Sequence, residues 1–242
     1  MVYPKDHISY SAVSAYLECP MKWYYNYVTA PVQEEEPWVF QVGTMYHSAM
    51  EILFKENDFK KAMDMLNVEW DKATGMRKRD VEKIMNCFDT YNTNVFPIYQ
   101  GRVTQVEYSD RITIPNVDIP FEFRIDFMTM DNTIVDHKTV GTKNGRFKPN
   151  IDHSLQMSLY SYCYYVKFGV MPSRVEYHYA YKDTGDIEIA TAIPNQNDML
   201  RAIACVQGVY KAIVNDIFYP NFKANCDKCS YKDQCSASLG LI

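Results

Sequence analysis

The spacing of apolar residues changes period along the chain. A helical period runs from Phe40 to Lys55, carrying His47, and again over about Phe59 to Lys72 and Arg77 to Phe96. Ahead of these, ISYSAVSAYLECP predicts a short helix with Ser9 or Ser11 as N-cap and Pro20 as its stop, and MKWYYNYV continues the apolar surface. Beyond residue 100 the pattern becomes that of strands. RVTQVEYSDRITI, IPFEFRIDFMTM and TIVDHKTV are rich in β-branched and aromatic residues, and Asp131-Asn132 marks a tight turn between the second and third. A helix is expected from about Asp152 to Phe168. Two strands follow, RVEYHYAYK and DIEIATAI, joined through Asp183-Thr184-Gly185, and then a last helix over about Gln196 to Ile217. Helices, a meander, a helix and more strands predict an α/β core with helical additions.

Composition narrows this picture. A chain of 242 residues, 47% hydrophobic and 14% aromatic, suits one elaborated domain with a sizeable core. No stretch approaches the roughly 18 to 20 uncharged apolar residues of a membrane span, so no membrane partner is expected. The opening MVYPKDHISYSAV lacks the apolar core of a secretory signal, so the expected location is the cytoplasm. There cysteines serve as metal ligands or buried residues more readily than as disulfides. The formal charge of −5 argues against indiscriminate phosphate binding by bulk charge, yet it leaves room for a nucleic-acid enzyme, because carboxylates that hold metals push the total negative. From His137 to Ile151 there is no acid, while Lys138, Lys143, Arg146 and Lys148 are all present. Charge alone reads that stretch equally as a solvated loop or as a phosphate-steering one.

The candidate chemistry sits in FRIDFMTMDNTIVDHKT. Asp136 and Lys138 are two apart on a strand and share a face. If the hairpin centres on Asp131, Asp126 lies directly across from Asp136 on that same face. Two close carboxylates are unfavourable unless something positive lies between them, and a divalent cation such as Mg2+ fills that role. The lysine can orient an attacking water or stabilise charge on a phosphate. A surface hairpin with an Asp136–Lys138 pair is the competing reading, but apolar TIV and FRI before the two acids place them at the ends of core strands, where charges need partners or metals.

At these residues the chain resembles the PD-(D/E)XK nucleases, in particular their RecB-like branch. RID followed by IVDHKT resembles the family's motif pair, and FQVGTMYHSAMEILF its G-T-x-x-H helix. LQMSLYSYCYYV resembles the Q-x-x-x-Y helix, and SYSAVSAYLECPMKWYY the N-terminal segment. The fragments keep the family's order from about Ile8 to Cys235. The resemblance implies a restriction-endonuclease-like core, a mixed central sheet flanked by helices, with a helical insertion. It implies Asp126 and Asp136 as ligands of Mg2+ or Mn2+, Lys138 acting on the nucleophilic water, and His47 helping to hold a metal. Gln156 and Tyr160 would contact nucleic acid or brace the site. Glu107, on the preceding strand, would be a further acid of the site or an exposed strand glutamate. The family commonly has glycine where this chain has Phe123, and tyrosine where it has His137.

NCDKCSYKDQC holds three cysteines as C-x2-C-x5-C, one short of a four-coordinate site. Spacing alone leaves zinc and iron–sulfur open. The resemblance implies Cys19 as the fourth ligand and a 4Fe–4S cluster on Cys19, Cys226, Cys229 and Cys235. On this reading residues 1–242 form a single nuclease domain: a mostly helical part over 40–100, a sheet core over 101–193, and a cluster region from 1–28 with 218–242. The expected activity is a metal-dependent DNA exonuclease acting on ends or single strands, in recombination, repair or CRISPR-adaptation-like processing. Without a G-x-x-x-x-G-K-S/T loop, any helicase, recombination or integrase-type partner would be a separate protein. A nucleic-acid-binding or assembly module of weak catalysis, and an RNA nuclease, remain the alternatives.

Overall fold

The computed structural model of the chain describes residues 1–29, 38–72, 78–141 and 151–238. The chain divides into two compact units, one drawn from residues 1–33, 110–123 and 197–242, the other from 34–109 and 124–196. Among the described residues no helix is long and apolar enough to cross a membrane.

In the first unit, strand β1 (Ile8–Ser9) pairs in parallel with the start of β3 (Phe121–Thr129), Ile8 opposite Phe121. Ser9 then caps helix α1 (Tyr10–Glu18), its hydroxyl accepting from the Ala12 N–H at 3.4 Å. Cys19 is extended, which ends α1, and Pro20 opens α2 (Pro20–Tyr27) at the one position where a missing N–H costs nothing. Trp23, wholly buried, stacks between Tyr27 and Phe218 at 4.9 and 5.9 Å. The long helix α8 (Gln196–Val214) buries Met199, Ala202, Ile203, Val206, Val209, Tyr210 and Ile213, the spacing of one apolar stripe. A single 3-10 turn at Cys226–Lys228 and helix α9 (Lys232–Ser238) follow.

The second unit carries the sheet expected from the meander. β2 (Val103–Ile112) pairs with β3, β3 antiparallel with β4 (Thr133–Val140), β4 parallel with β5 (Arg174–Tyr181), and β5 antiparallel with β6 (Ile187–Ala192). Parallel strands need a crossover, and helix α7 (Leu155–Phe168) supplies it between β4 and β5. One face of this mixed sheet is covered by α3 (Trp38–Glu56), α4 (Phe59–Lys72), α5 (Lys78–Asn94) and the single turn α6 (Phe96–Tyr99). Tyr46, Met50 and Leu53 of α3 meet Phe88 and Tyr91 of α5 and Phe127, Val135 and Ala180 of the strands in one buried cluster. Removing a ring such as Phe127 from it would cost roughly 3–5 kcal/mol. The other face, where Asp136 and Lys138 alternate with Val135 and His137, meets α7.

Two boundaries differ from expectation for local reasons. The helix read through to Phe96 stops at Asn94 and restarts as a separate turn with Pro97 in its first positions. The helix read from Asp152 begins at Leu155, because His153 is left-handed (φ 57°) and Ser154 is the cap, its hydroxyl accepting from the Met157 N–H. Phe123, in place of the family's glycine, is 2% exposed and therefore packs inward rather than into a substrate path.

Candidate active site

β3 and β4 pair with Phe127 opposite Val135 and Met128 opposite Ile134, a register centred on Asp131 that sets Asp126 across from Asp136 at the next position. There Asp126 Oδ2 accepts from the backbone N–H of His137 at 2.6 Å, so a side chain of one strand is fixed by the backbone of the other. Helix α3 brings His47 Nδ1 to 3.3 Å from the same oxygen. Glu107 arrives from β2 in a left-handed conformation (φ 53°), a mid-strand irregularity of the kind that re-aims a side chain. One ligand atom each from His47, Glu107 and Asp126 then lie within 4.8 Å of one another.

A second group adjoins the first. Asp136, 3% exposed, accepts from Gln156 Nε2 at 2.6 Å, and Lys138 Nζ lies 2.7 Å from its other oxygen. Lys138 also donates to Gln156 Oε1 at 2.8 Å and sits 5.2 Å from the centre of the Tyr177 ring. The Tyr177 hydroxyl donates to that Gln156 oxygen at 3.3 Å and is bonded to Ser154 Oγ, the cap of α7. Helix α7 is thus pinned to the lysine it positions. Gln156 and Tyr160 are both buried, and Gln156 bonds Asp136 and Lys138. Lys143, Arg146 and Lys148 fall outside the described residues.

Electrostatics separate the acids. Burial disfavours a charged Asp126, but the His47 imidazole and the His137 N–H outweigh it and hold the carboxyl below its usual range. Burial raises Asp136, and the Asp126 charge adds to that against the pull of Lys138. Glu107 is pushed up to about 7, first by burial and then by Asp126, with Arg124 and His47 opposing. Burial lowers His47, yet Asp126, with Asp136 and Glu107 behind it, raises it overall to about 9. Burial thus raises two of the carboxyls, while the Asp126 charge beside them raises the His47 imidazole. The site's donors, an imidazole and hard carboxylate oxygens, suit Mn2+ or Mg2+.

Glu107, expected as an acid of the site or as an exposed strand glutamate, joins the tight ligand group, while Asp136 turns to Lys138 and Gln156. Sequence reasoning named neither Tyr177 nor Ser154. Their signal was the parallel register that sets Asp136 opposite Tyr177, which no sequence pattern announces.

In the first unit Cys19, Cys226, Cys229 and Cys235 line one cavity of about 470 Å³, together with Met21, Tyr25, Phe222 and Tyr231. All four are free thiols. Burial raises the Cys235 thiol, and Cys19, Cys229 and Cys226 each raise it further, as close thiolates do.

Comparison with known proteins bears on the fold and the family. A crystal structure of a candidate exonuclease from Eubacterium rectale superposes with a TM-score of 0.65 at 14% identity, over 96% of this chain and 88% of that one, which shows a shared fold. The structures of SSO0001 and of LHK-Exo in complex with dAMP align at TM-scores of only 0.41 and 0.33, with 13% and 9% identity, over 81% and 83% of this chain and 84% and 99% of theirs. No curated protein matches the sequence. The sequence profile of the PD-(D/E)XK nuclease superfamily matches residues 7–236, a span that takes in every residue of both acid groups and all four cavity cysteines, and the chain belongs to that superfamily.

Proposed function

We propose that the protein is a metal-dependent deoxyribonuclease that hydrolyses phosphodiester bonds as an exonuclease, at DNA ends or on single strands. The observation that carries the reading is the convergence of His47, Glu107 and Asp126 within 4.8 Å of one another beside the Asp136–Lys138 pair. His47, Glu107 and Asp126 would hold a divalent cation, with Asp136 as the adjoining ligand. The cation would supply charge neutralisation at the phosphate and a more acidic water. Lys138, held at 2.8 Å by Gln156, is placed to orient that water or to stabilise charge developing on the phosphate. Asp126 stays ionised because the His137 N–H and His47 both favour its charged form.

The test uses labelled linear and circular DNA, single- and double-stranded, and a matched RNA, with Mn2+, Mg2+ or EDTA. Metal-dependent loss of linear DNA with circles intact is the expected result. Cleaved circles make the protein an endonuclease, and cleaved RNA an RNA nuclease. Binding without cleavage by intact protein returns it to an assembly module.

The cavity cysteines would hold a 4Fe–4S cluster. Zinc at about 2.3 Å from each sulfur draws thiolates to about 3.8 Å from one another. A 4Fe–4S cluster takes the same four thiolates, and the reading rests on their gathering in one cavity together with the C-x2-C-x5-C spacing. Such a cluster would staple the α1–α2 junction to the C-terminal turn, and binding it would count as folding free energy. Anaerobically purified protein should be brown and contain about four irons per chain. Cys229→Ser should lose the colour and lower the melting temperature. Zinc in place of iron would overturn the assignment.

A further inference from the structure

We infer that Arg124 is a phosphate-backbone contact of the proposed nuclease site, held in waiting by Glu107. The inference rests on the nuclease reading and names a group that grips the substrate. Arg124 precedes Asp126 by two residues on β3, so their side chains leave the same face of the strand. Asp126 points into the site and is buried, whereas the Arg124 side chain is 68% exposed. Its nearest charged partner is Glu107, with Nε 3.5 Å from Oε2. That carboxylate belongs to the group with His47 and Asp126.

The pairing depends on the irregularity in β2. Met130 N–H donates to Arg102 O at 2.8 Å, fixing how β2 lies along β3. Followed back from that bond, an unbroken ladder would set Glu107 opposite Ile125, which is buried on the other face. The left-handed turn at Glu107 carries its carboxylate over to the face of Asp126 and Arg124 instead. A non-glycine residue held left-handed in a strand costs of order 1–3 kcal/mol, and such strain concentrates at functional sites. A loose pair whose guanidinium is solvated contributes too little to stability to account for it.

Glu107 therefore has two competing partners. It either faces Arg124 or serves the cation site, and at 3.5 Å the ion pair is loose. Once Glu107 is committed to the site, the guanidinium beside it is a planar fork of donors at the rim of a phosphodiester-cleaving centre. A fork of that kind suits a backbone phosphate two-pronged.

The experiment measures binding of a fluorescein-labelled oligothymidylate to the full-length protein across a salt series, in Ca2+ to suppress cleavage, for wild type, Arg124→Gln and Arg124→Lys. Arg124→Gln should weaken binding roughly tenfold and reduce the slope of log affinity against log salt by about 0.7, the loss of one single-strand phosphate contact. Arg124→Lys should keep the slope and recover part of the affinity. Under Mn2+, the cleavage defect of Arg124→Gln should appear mainly in KM. An unchanged salt slope in Arg124→Gln overturns the inference, whether affinity is kept or lost, since a residue that only shapes the site would leave the slope alone. Absence of binding and cleavage in wild type would instead sink the nuclease reading itself.

Discussion

At the scale of single residues, His47 gives the metal-free protein a pH dependence of known sign. Its folded pKa, about 9, exceeds the ordinary 6.5, so its stabilising pairing with Asp126 is complete below 6.5 and is lost as pH rises through 9. Glu107, raised from 4.5 to about 7, loses stability in the lower window and is spent before the upper part of that range. The melting temperature in EDTA should therefore fall between pH 7 and 9 in wild type and much less in His47→Gln. Added Mn2+ should reverse the trend, because a ligating imidazole must be neutral. Parallel curves for the two proteins in EDTA would remove His47 from the pairing. The sequence made Asp126, Asp136 and Lys138 legible through the two-residue strand period and the turn at Asp131. It marked His137 only as a departure from the family's tyrosine; among the described residues its two ring nitrogens are buried without a hydrogen-bond partner, with Tyr46, Phe54, Tyr91 and Phe127 around the ring. Its environment is made by helices distant in sequence, so spacing carries no trace of it.

At the scale of elements, β2 is the strand that departs from regularity, and Glu107 is where it does so. Glu107→Gly and Glu107→Ala both lose the carboxylate but differ in backbone freedom. In a left-handed position glycine escapes a penalty of about 1–2 kcal/mol that alanine keeps. In a regular strand alanine would be the more stable by roughly 0.5–1 kcal/mol. The glycine variant should therefore unfold at higher denaturant than the alanine variant. The opposite order would mean that the strand is regular at this point. Helix and strand identities were readable from period alone, because α3, α5 and α8 each bury one stripe and β3 alternates Phe121, Phe123, Ile125 and Phe127 with Glu122, Arg124 and Asp126. Irregularity was not readable: nothing in VTQVEYSD separates a left-handed glutamate from an extended one. The end of α5 was misjudged for a similar reason, since Pro97 allows a helix to restart as well as to stop.

For the whole molecule, the fold class and the family were legible because five short motifs keep their order from Ile8 to Cys235, and the family profile spans 7–236. Division into two compact units was not, since each is assembled from separate stretches of the chain and no linker composition marks the crossings. The acids gathered on β2, β3 and β4 are proposed to hold a cation for phosphodiester hydrolysis, with Lys138 assisting. The most direct test is a time course of linear DNA degradation by wild type, Asp136→Asn and Lys138→Ala, each with Mn2+ and with EDTA, after confirming equal melting temperatures with the metal present. Cation-assisted hydrolysis at this site predicts degradation by wild type in Mn2+ but not in EDTA, and at least about a hundredfold loss in both variants. Degradation by wild type in EDTA, or undiminished degradation by Asp136→Asn, would contradict it.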